Sequence, residues 1–335
     1  MNRARNLSSS RVRHAVTVAW DVVIVGAGPA GLSAALVLGR ARRRVLLCDQ
    51  GTPRNWASKH MHGFLTRDGI EPSEFRALAH QELARYEQVS FRRTKVTEAE
   101  PLPAGGFCIS FTRGAQVRTR KLLIATGLFD RLPAVKGLAR FFGTSVFQCP
   151  YCHGWEYRDC AVAVYGQGQR GFEMARAMTA WTADIVLCTD GPPNLSKTAQ
   201  AQLKRNGIVV MSSRIAGLEG RGNQLSRIVF RNGEKLARRA LFFDTPSTEQ
   251  SSLSHTLGCE FSEHGGVKCG QHSATSVPGA FAAGNITRDV QLAIVAAAEG
   301  VRAAFGINRA LTREDFSKKA SGKTRVVHAF EADAR

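Results

Sequence analysis

"DVVIVGAGPAGLSAALVLGR", residues 21–40, decides the fold. Its β-branched run from Val22 to Val25 has no polar face, as a fully buried parallel strand requires. Gly26, Gly28 and Gly31 follow, and then an alanine- and leucine-rich helix. In that spacing the first glycine permits a tight turn, the second lets a pyrophosphate approach the backbone, and the third lets helix pack on strand. Amides at the start of the helix then face the phosphates. A glycine-rich turn alone is weak evidence, so the next strand is the test. "RRVLLCDQ" supplies that strand and ends in Asp49, twenty-three residues after Gly26, where a carboxylate can grip ribose hydroxyls. The stretch reads as a dinucleotide site.

A second copy follows in "CAVAVYGQGQRGFEMARAMTAWTADIVLCTDG", residues 160–191. A strand from Ala161 to Val164 leads into Gly166, Gly168 and Gly171, a helix follows, and a further strand, Asp184 to Leu187, runs out at Asp190. Two such units imply two adenine dinucleotides, or one working site and one relic. The 2′-phosphate of NADP needs cations, whereas "LCTDGPPN" offers an acid and no arginine cluster. If the second unit holds a nicotinamide at all, NADH is the better match in charge.

Between the two units lies "CPYCHGWE", residues 149–156. Eight cysteines spread over 335 residues do not form the dense framework of a small secreted module. Cys149 and Cys152 are the one close pair. Zinc would want a second pair at ligand spacing, and Cys259, Cys269, His255 and His264 fit no such pattern. No metal site is expected, and a redox dithiol is. A dithiol beside a flavin and a hydride donor forms a coherent relay, because a flavin accepts two electrons from either.

Composition excludes other classes. The length suits two domains, each with its own core. No apolar run reaches the eighteen or so residues of a membrane span. The net charge of +19 could attract nucleic acid, but the arginines are scattered and not interleaved with stacking aromatics, so a solvated basic surface is expected. Residues 1–20 contain four arginines, three serines and no acid, which suits a flexible extension or a transit peptide. Residues 312–335 are polar, mix both charge signs, and are expected to trail beyond the last helix.

With these parts in place the chain resembles the low-molecular-weight thioredoxin reductases over about residues 21–311. The resemblance rests on the first glycine loop, "LLIATG" at 122–127, the CxxC beside the second glycine loop, and "TSVPGAFAAGN" at 275–285 with the small-residue helix after it, roughly 289–311. "PRNWASKHMHGFLTRDG" and "CPYCHGWE" resemble the branch that includes FAD-dependent dithiol oxidases closing disulfides in gliotoxin and holomycin. The resemblance implies an α/β fold of two Rossmann-like three-layer domains, the second inserted into the first. The FAD domain would comprise 21–138 and 246–311, and the NAD(P)-binding-like domain with the CxxC 139–245. It also implies FAD on Gly26, Gly28, Gly31, Asp49, Thr126, Gly127, Gly284 and Asn285, with NAD(P)H on Gly166, Gly168, Gly171 and Asp190. A cytoplasmic homodimer acting on a thioredoxin-like protein or a small-molecule disulfide or dithiol is the corresponding expectation, with neither nucleic acid nor membrane as partner.

Three departures from the family pattern matter. Thioredoxin reductases commonly carry aspartate directly after the second cysteine, and this chain has His153. The basic cluster for NADP is missing. The family's Gly-Asp on the ribityl chain is Gly284-Asn285, which keeps hydrogen bonding and loses charge. By resemblance Cys149 exchanges with substrate and Cys152 faces the flavin, with the thiolate stabilised at a helix start. His153, of ordinary pKa about 6.5, is the candidate proton carrier, and Glu156 is spaced to orient it. His60 and His62 fall on a loop that the resemblance sets near the flavin, without an assigned role. Cys48, Cys108 and Cys188 read as small hydrophobes in strands, and Cys160 opens the strand into the second loop. The alternatives to a reductase are an oxygen-dependent dithiol oxidase with a relic nicotinamide domain, and a flavin-bound regulator.

Overall fold

The computed structural model describes residues 19–320. The chain builds two parallel sheets, and the run predicted to be buried is so on both faces. Val22, Val23 and Ile24 have no exposed surface. Val22 and Ile24 pack under the helices on one side, while Val23 and Val25 pack under the other layer, so the first unit has three layers.

The first sheet runs in the order Val89–Arg93, Val45–Asp49, Ala19–Val25 and Gln116–Ile124, all parallel. The meander Val96–Pro101 and Phe107–Phe111 extends it antiparallel, and Ala280–Ala282 returns much later in the chain to pair parallel with Gln116–Ile124. The second sheet runs Val209–Met211, Ile185–Cys188, Val162–Tyr165, Ala240–Phe243 and Val146–Phe147, also parallel. A ribbon of Leu128–Asp130 against Ser247–Glu249 joins the chain where it leaves the first sheet to where it comes back.

Helix Pro29–Arg40 starts directly after the first glycine loop, with proline in its first turn, where a missing N–H costs nothing. It packs closely on the long helix Ala293–Ala320. A Cβ on Gly300 would lie 2.0 Å from the Ala30 carbonyl oxygen, so only glycine lets these two backbones meet.

Two expectations about the ends need correction. The polar segment from Thr312 does not trail beyond the last helix: the helix begins at Ala293 and continues to Ala320. Arg43 is the cause. Its guanidinium donates to Asn308, Thr312 and Asp315, each at 2.7 Å, and Arg120 donates to Glu314 at 2.9 Å. The first strand begins at Ala19, inside the expected extension, and residues 1–18 and 321–335 lie outside the described residues.

Candidate active site

The first glycine loop opens onto a cavity of about 690 Å³. Gly26 has φ +108, and a Cβ there would lie 2.2 Å from the Ala125 carbonyl oxygen. A Cβ on Gly31 would lie 1.8 Å from the Gly26 carbonyl, so Gly31 supports the loop from behind and does not line the cavity. Gly28 differs: its Cβ would meet nothing within 4 Å, and its φ of −78 is ordinary. The protein leaves that position open for something outside the chain.

Asp49 closes the loop from the neighbouring strand. Its carboxylate accepts from the Ala27 amide at 3.1 Å and the Gly51 amide at 2.9 Å, and it borders the cavity. Thr126 and Gly127 form another part of the wall, and the Thr126 hydroxyl is buried with no partner among the described residues. Gly284 and Asn285 line the far side. A buried hydroxyl without a partner, a glycine facing open space and a carboxylate bordering the cavity together fit FAD.

One residue behind this wall escaped the sequence reading. Glu299, 5 % exposed, accepts the Gly284 amide at 2.6 Å and receives the Thr287 hydroxyl. Burial raises its carboxyl pKa, and the Gly284 amide opposes that. No motif spacing links a helix glutamate to a glycine fifteen residues before it.

The cysteines enter the same cavity from the second sheet. Strand Val146–Phe147 leads to Cys149, which caps the single-turn helix Pro150–His153. The half-buried Cys149 and Cys152 form a disulfide, and the Cys152 amide donates to the Cys149 sulfur at 3.1 Å. With a helix of four residues there is little macrodipole, so this one amide is the local stabilisation that the sequence attributed to a helix start.

Three histidines border the cavity beside the disulfide. His153 stacks on Phe147, with ring centroids 4.1 Å apart and planes at 15°. Its Nδ1 is buried with no partner among the described residues. Burial, followed by the neighbouring His62 and His60, brings its pKa down to about 4. His153 is therefore neutral at pH 7. Glu156, expected to orient His153, lies instead 3.5 Å from Nε2 of His62. Nδ1 of His62 lies 3.4 Å from Asp68, and Nδ1 of His60 lies 3.0 Å from the Gly69 carbonyl.

The second glycine loop does not join this site. Gly166 and Gly171 pack on one another as strand–helix glycines do, but none of Gly166, Gly168, Gly171 and Asp190 borders the cavity. The Gly168 amide, expected to face a phosphate, donates to the Pro193 carbonyl at 2.9 Å. Asp190 accepts the Ile215 amide at 2.7 Å and bonds Tyr165. One amide at the start of that helix is therefore engaged by the chain itself. No cluster of His, Cys, Asp or Glu among the described residues could hold a metal ion, and no described helix is long and apolar enough to cross a membrane.

With this geometry the chain can be set beside known proteins. Residues 20–300 match the family described as pyridine nucleotide-disulphide oxidoreductase. The thioredoxin reductase tcpT of Claviceps purpurea is 31% identical over 278 residues, covering 79% of this chain and 86% of that protein. The thioredoxin reductase sirT of Leptosphaeria maculans is 30% identical, covering 86% and 93%. Among solved structures, HlmI superposes with a TM-score of 0.87 at 34% identity, covering 91% of this chain and 96% of that one. A thioredoxin reductase TrxB from Bacillus anthracis gives 0.84 at 32%, covering 89% and 100%.

The fold and site define a flavin disulfide oxidoreductase built on two dinucleotide-binding folds. The chain belongs to the pyridine nucleotide-disulphide oxidoreductases, and within them it is of thioredoxin reductase type. That family generally works with FAD and NAD(P)H.

Proposed function

We propose that Cys149 and Cys152 are the redox-active pair of this enzyme and exchange two electrons with a thioredoxin-like protein or a small-molecule disulfide or dithiol. The observation that carries the reading is that the disulfide and the first glycine loop are walls of one cavity. FAD held by that loop supplies the two-electron chemistry when bound.

The chain's own groups account for the sulfur and proton steps. A substrate thiolate attacks Cys149, a mixed disulfide forms, and Cys152 leaves as a thiol; the second substrate sulfur then displaces Cys149. One S–S bond breaks and one forms, and two thiol protons pass from substrate to protein. His153, held neutral by burial and stacked on Phe147, borders the disulfide as a hydrogen-bond partner for the thiols that form and break there. His62, between Asp68 and Glu156, offers the path from there to solvent.

An oxygen-dependent dithiol oxidase is the second reading, and the Pro193 carbonyl at Gly168 favours it. Should a nicotinamide be admitted, the acid at Asp190 and the lack of an arginine cluster favour NADH over NADPH. A cytoplasmic homodimer is part of the same proposal. Support for the dimer comes from Val301, Phe305 and Phe316, exposed along the last helix.

A small dithiol added without oxygen should bleach the yellow flavin band, and Cys149→Ser and Cys152→Ser should each prevent it. Undiminished bleaching in both variants would refute the reading. Given the substrate in its disulfide form, the Cys149 thiolate of the Cys152→Ser protein should displace one substrate sulfur and hold the other as a mixed disulfide that mass spectrometry detects.

A further inference from the structure

The second glycine loop has the glycines of a dinucleotide site and the wrong atom in front of them. Phosphate recognition at such a loop needs free N–H donors at the start of the helix. Here the Gly168 N–H is already paired with a backbone carbonyl, that of Pro193, at 2.9 Å. The Asn194 carbonyl oxygen follows, 3.4 Å from where a Cβ on Gly168 would lie. Two carbonyl oxygens, each carrying partial negative charge, thus stand where phosphate oxygens would have to enter.

The segment behind them is fastened at several points. The Gln167 side chain donates to the Thr189 carbonyl at 2.7 Å, and the buried Thr189 hydroxyl donates to the Gly191 carbonyl at 2.7 Å. The Arg214 guanidinium packs over Gly191, with its central carbon 3.0 Å from where a Cβ would sit. Pro192 and Pro193 fix their own φ angles and have no N–H to offer a phosphate, so these two residues are stiff and supply only acceptors. The first loop is the contrast: Gly28 faces open cavity, and its neighbour Asp49 borders that cavity.

We propose that Pro193 and Asn194 determine the redox-partner specificity of this enzyme: their carbonyls occupy the phosphate position of the second glycine loop and exclude NADH and NADPH. The second unit then serves to carry the Cys149–Cys152 pair, and the protein's electrons enter and leave through thiols and a diffusible partner. Net conversion of one dithiol and one dioxygen to one disulfide and one hydrogen peroxide balances without a nicotinamide. This deepens the reading above by specifying which partners the same dithiol can serve.

The test uses the full-length, FAD-loaded protein. Calorimetric titration with NADH, NADPH and ADP-ribose should show no saturable binding up to about 1 mM, the weak end of specific affinity. Saturable binding of any of the three in the micromolar range overturns the proposal. Deleting Pro192 and Pro193 should create binding at least about tenfold tighter than that limit; Pro192→Gly/Pro193→Gly serves if the deletion does not retain FAD. A folded, FAD-loaded variant that still takes no nucleotide overturns the role given to this segment. Dithiol bleaching is measured in the same samples. Its loss in the parent protein would count against the Cys149–Cys152 reading, whereas nucleotide binding counts only against the exclusion.

Discussion

His62 presents its ring edge-on to His153, with centroids 6.2 Å apart and planes at 85°, and both line the cavity of the Cys149–Cys152 disulfide. The pair divides its work by environment. His153 is stacked on Phe147 and shielded, while His62 reaches the exposed carboxylates of Asp68 and Glu156. His153→Phe keeps a flat ring on Phe147 and removes its hydrogen-bonding nitrogens, so dithiol-driven flavin reduction should slow by up to about a hundredfold. His62→Phe should slow it by roughly tenfold, a partial loss suited to a group acting one step further out. Anaerobic stopped-flow reads both, and an unchanged rate for His153→Phe would remove it from the mechanism.

The same histidine predicts a pH effect on stability. His153 has a pKa of about 4 in the folded protein against an ordinary value of 6.5, so the unfolded chain binds its proton more readily. Above pH 6.5 neither state is protonated and nothing is lost. As pH falls from 6.5 towards 4, stability should decline, by on the order of 3 kcal/mol from this group. Urea unfolding across that range should show a steeper decline for the parent than for His153→Phe. Equal slopes would mean that His153 titrates normally.

The first loop's glycines should separate folding from binding. Gly28→Ala introduces a methyl that meets no protein atom, so the apoprotein should unfold within about 0.5 kcal/mol of the parent. FAD affinity should nevertheless fall about tenfold or more, because the methyl projects where the pyrophosphate approaches. Gly31→Ala should unfold the protein or lower its stability by several kcal/mol, since its methyl would press on the Gly26 carbonyl. Thermal unfolding of the apoprotein and flavin-fluorescence titration distinguish the two outcomes.

Glu299→Ala would leave the Gly284 amide buried and without its acceptor, at a cost of about 1–3 kcal/mol. Glu299→Gln keeps an oxygen for that amide and should recover most of the loss. Denaturant unfolding of both proteins is the measurement, and equal stabilities would show that the amide has another partner.

Arg43→Ala should free the end of the last helix. Arg43 is 8 % exposed and ties three side chains between Asn308 and Asp315. Without it, residues 312–320 should exchange their amide hydrogens much faster while the helix near Ala296 stays protected. Uniform protection along the helix would contradict the anchoring role.

What short stretches could decide, the sequence decided alone. Gly26 and Gly31 at their spacing dictate a strand–turn–helix, since a Cβ at either would strike a backbone carbonyl, whereas Gly28 leaves room for something outside the chain. Cys149 and Cys152, three apart around Pro150, likewise set a turn that brings their sulfurs together. Partners distant in the chain were beyond such rules, because packing chooses them. Only the tertiary structure paired Glu156 with His62 in place of His153, put Glu299 under Gly284, and carried the last helix to Ala320 through Arg43. It also set the Pro193 carbonyl against Gly168. A glycine motif specifies the shape of its own backbone, but which acceptor takes the amide it exposes depends on what the rest of the chain brings there.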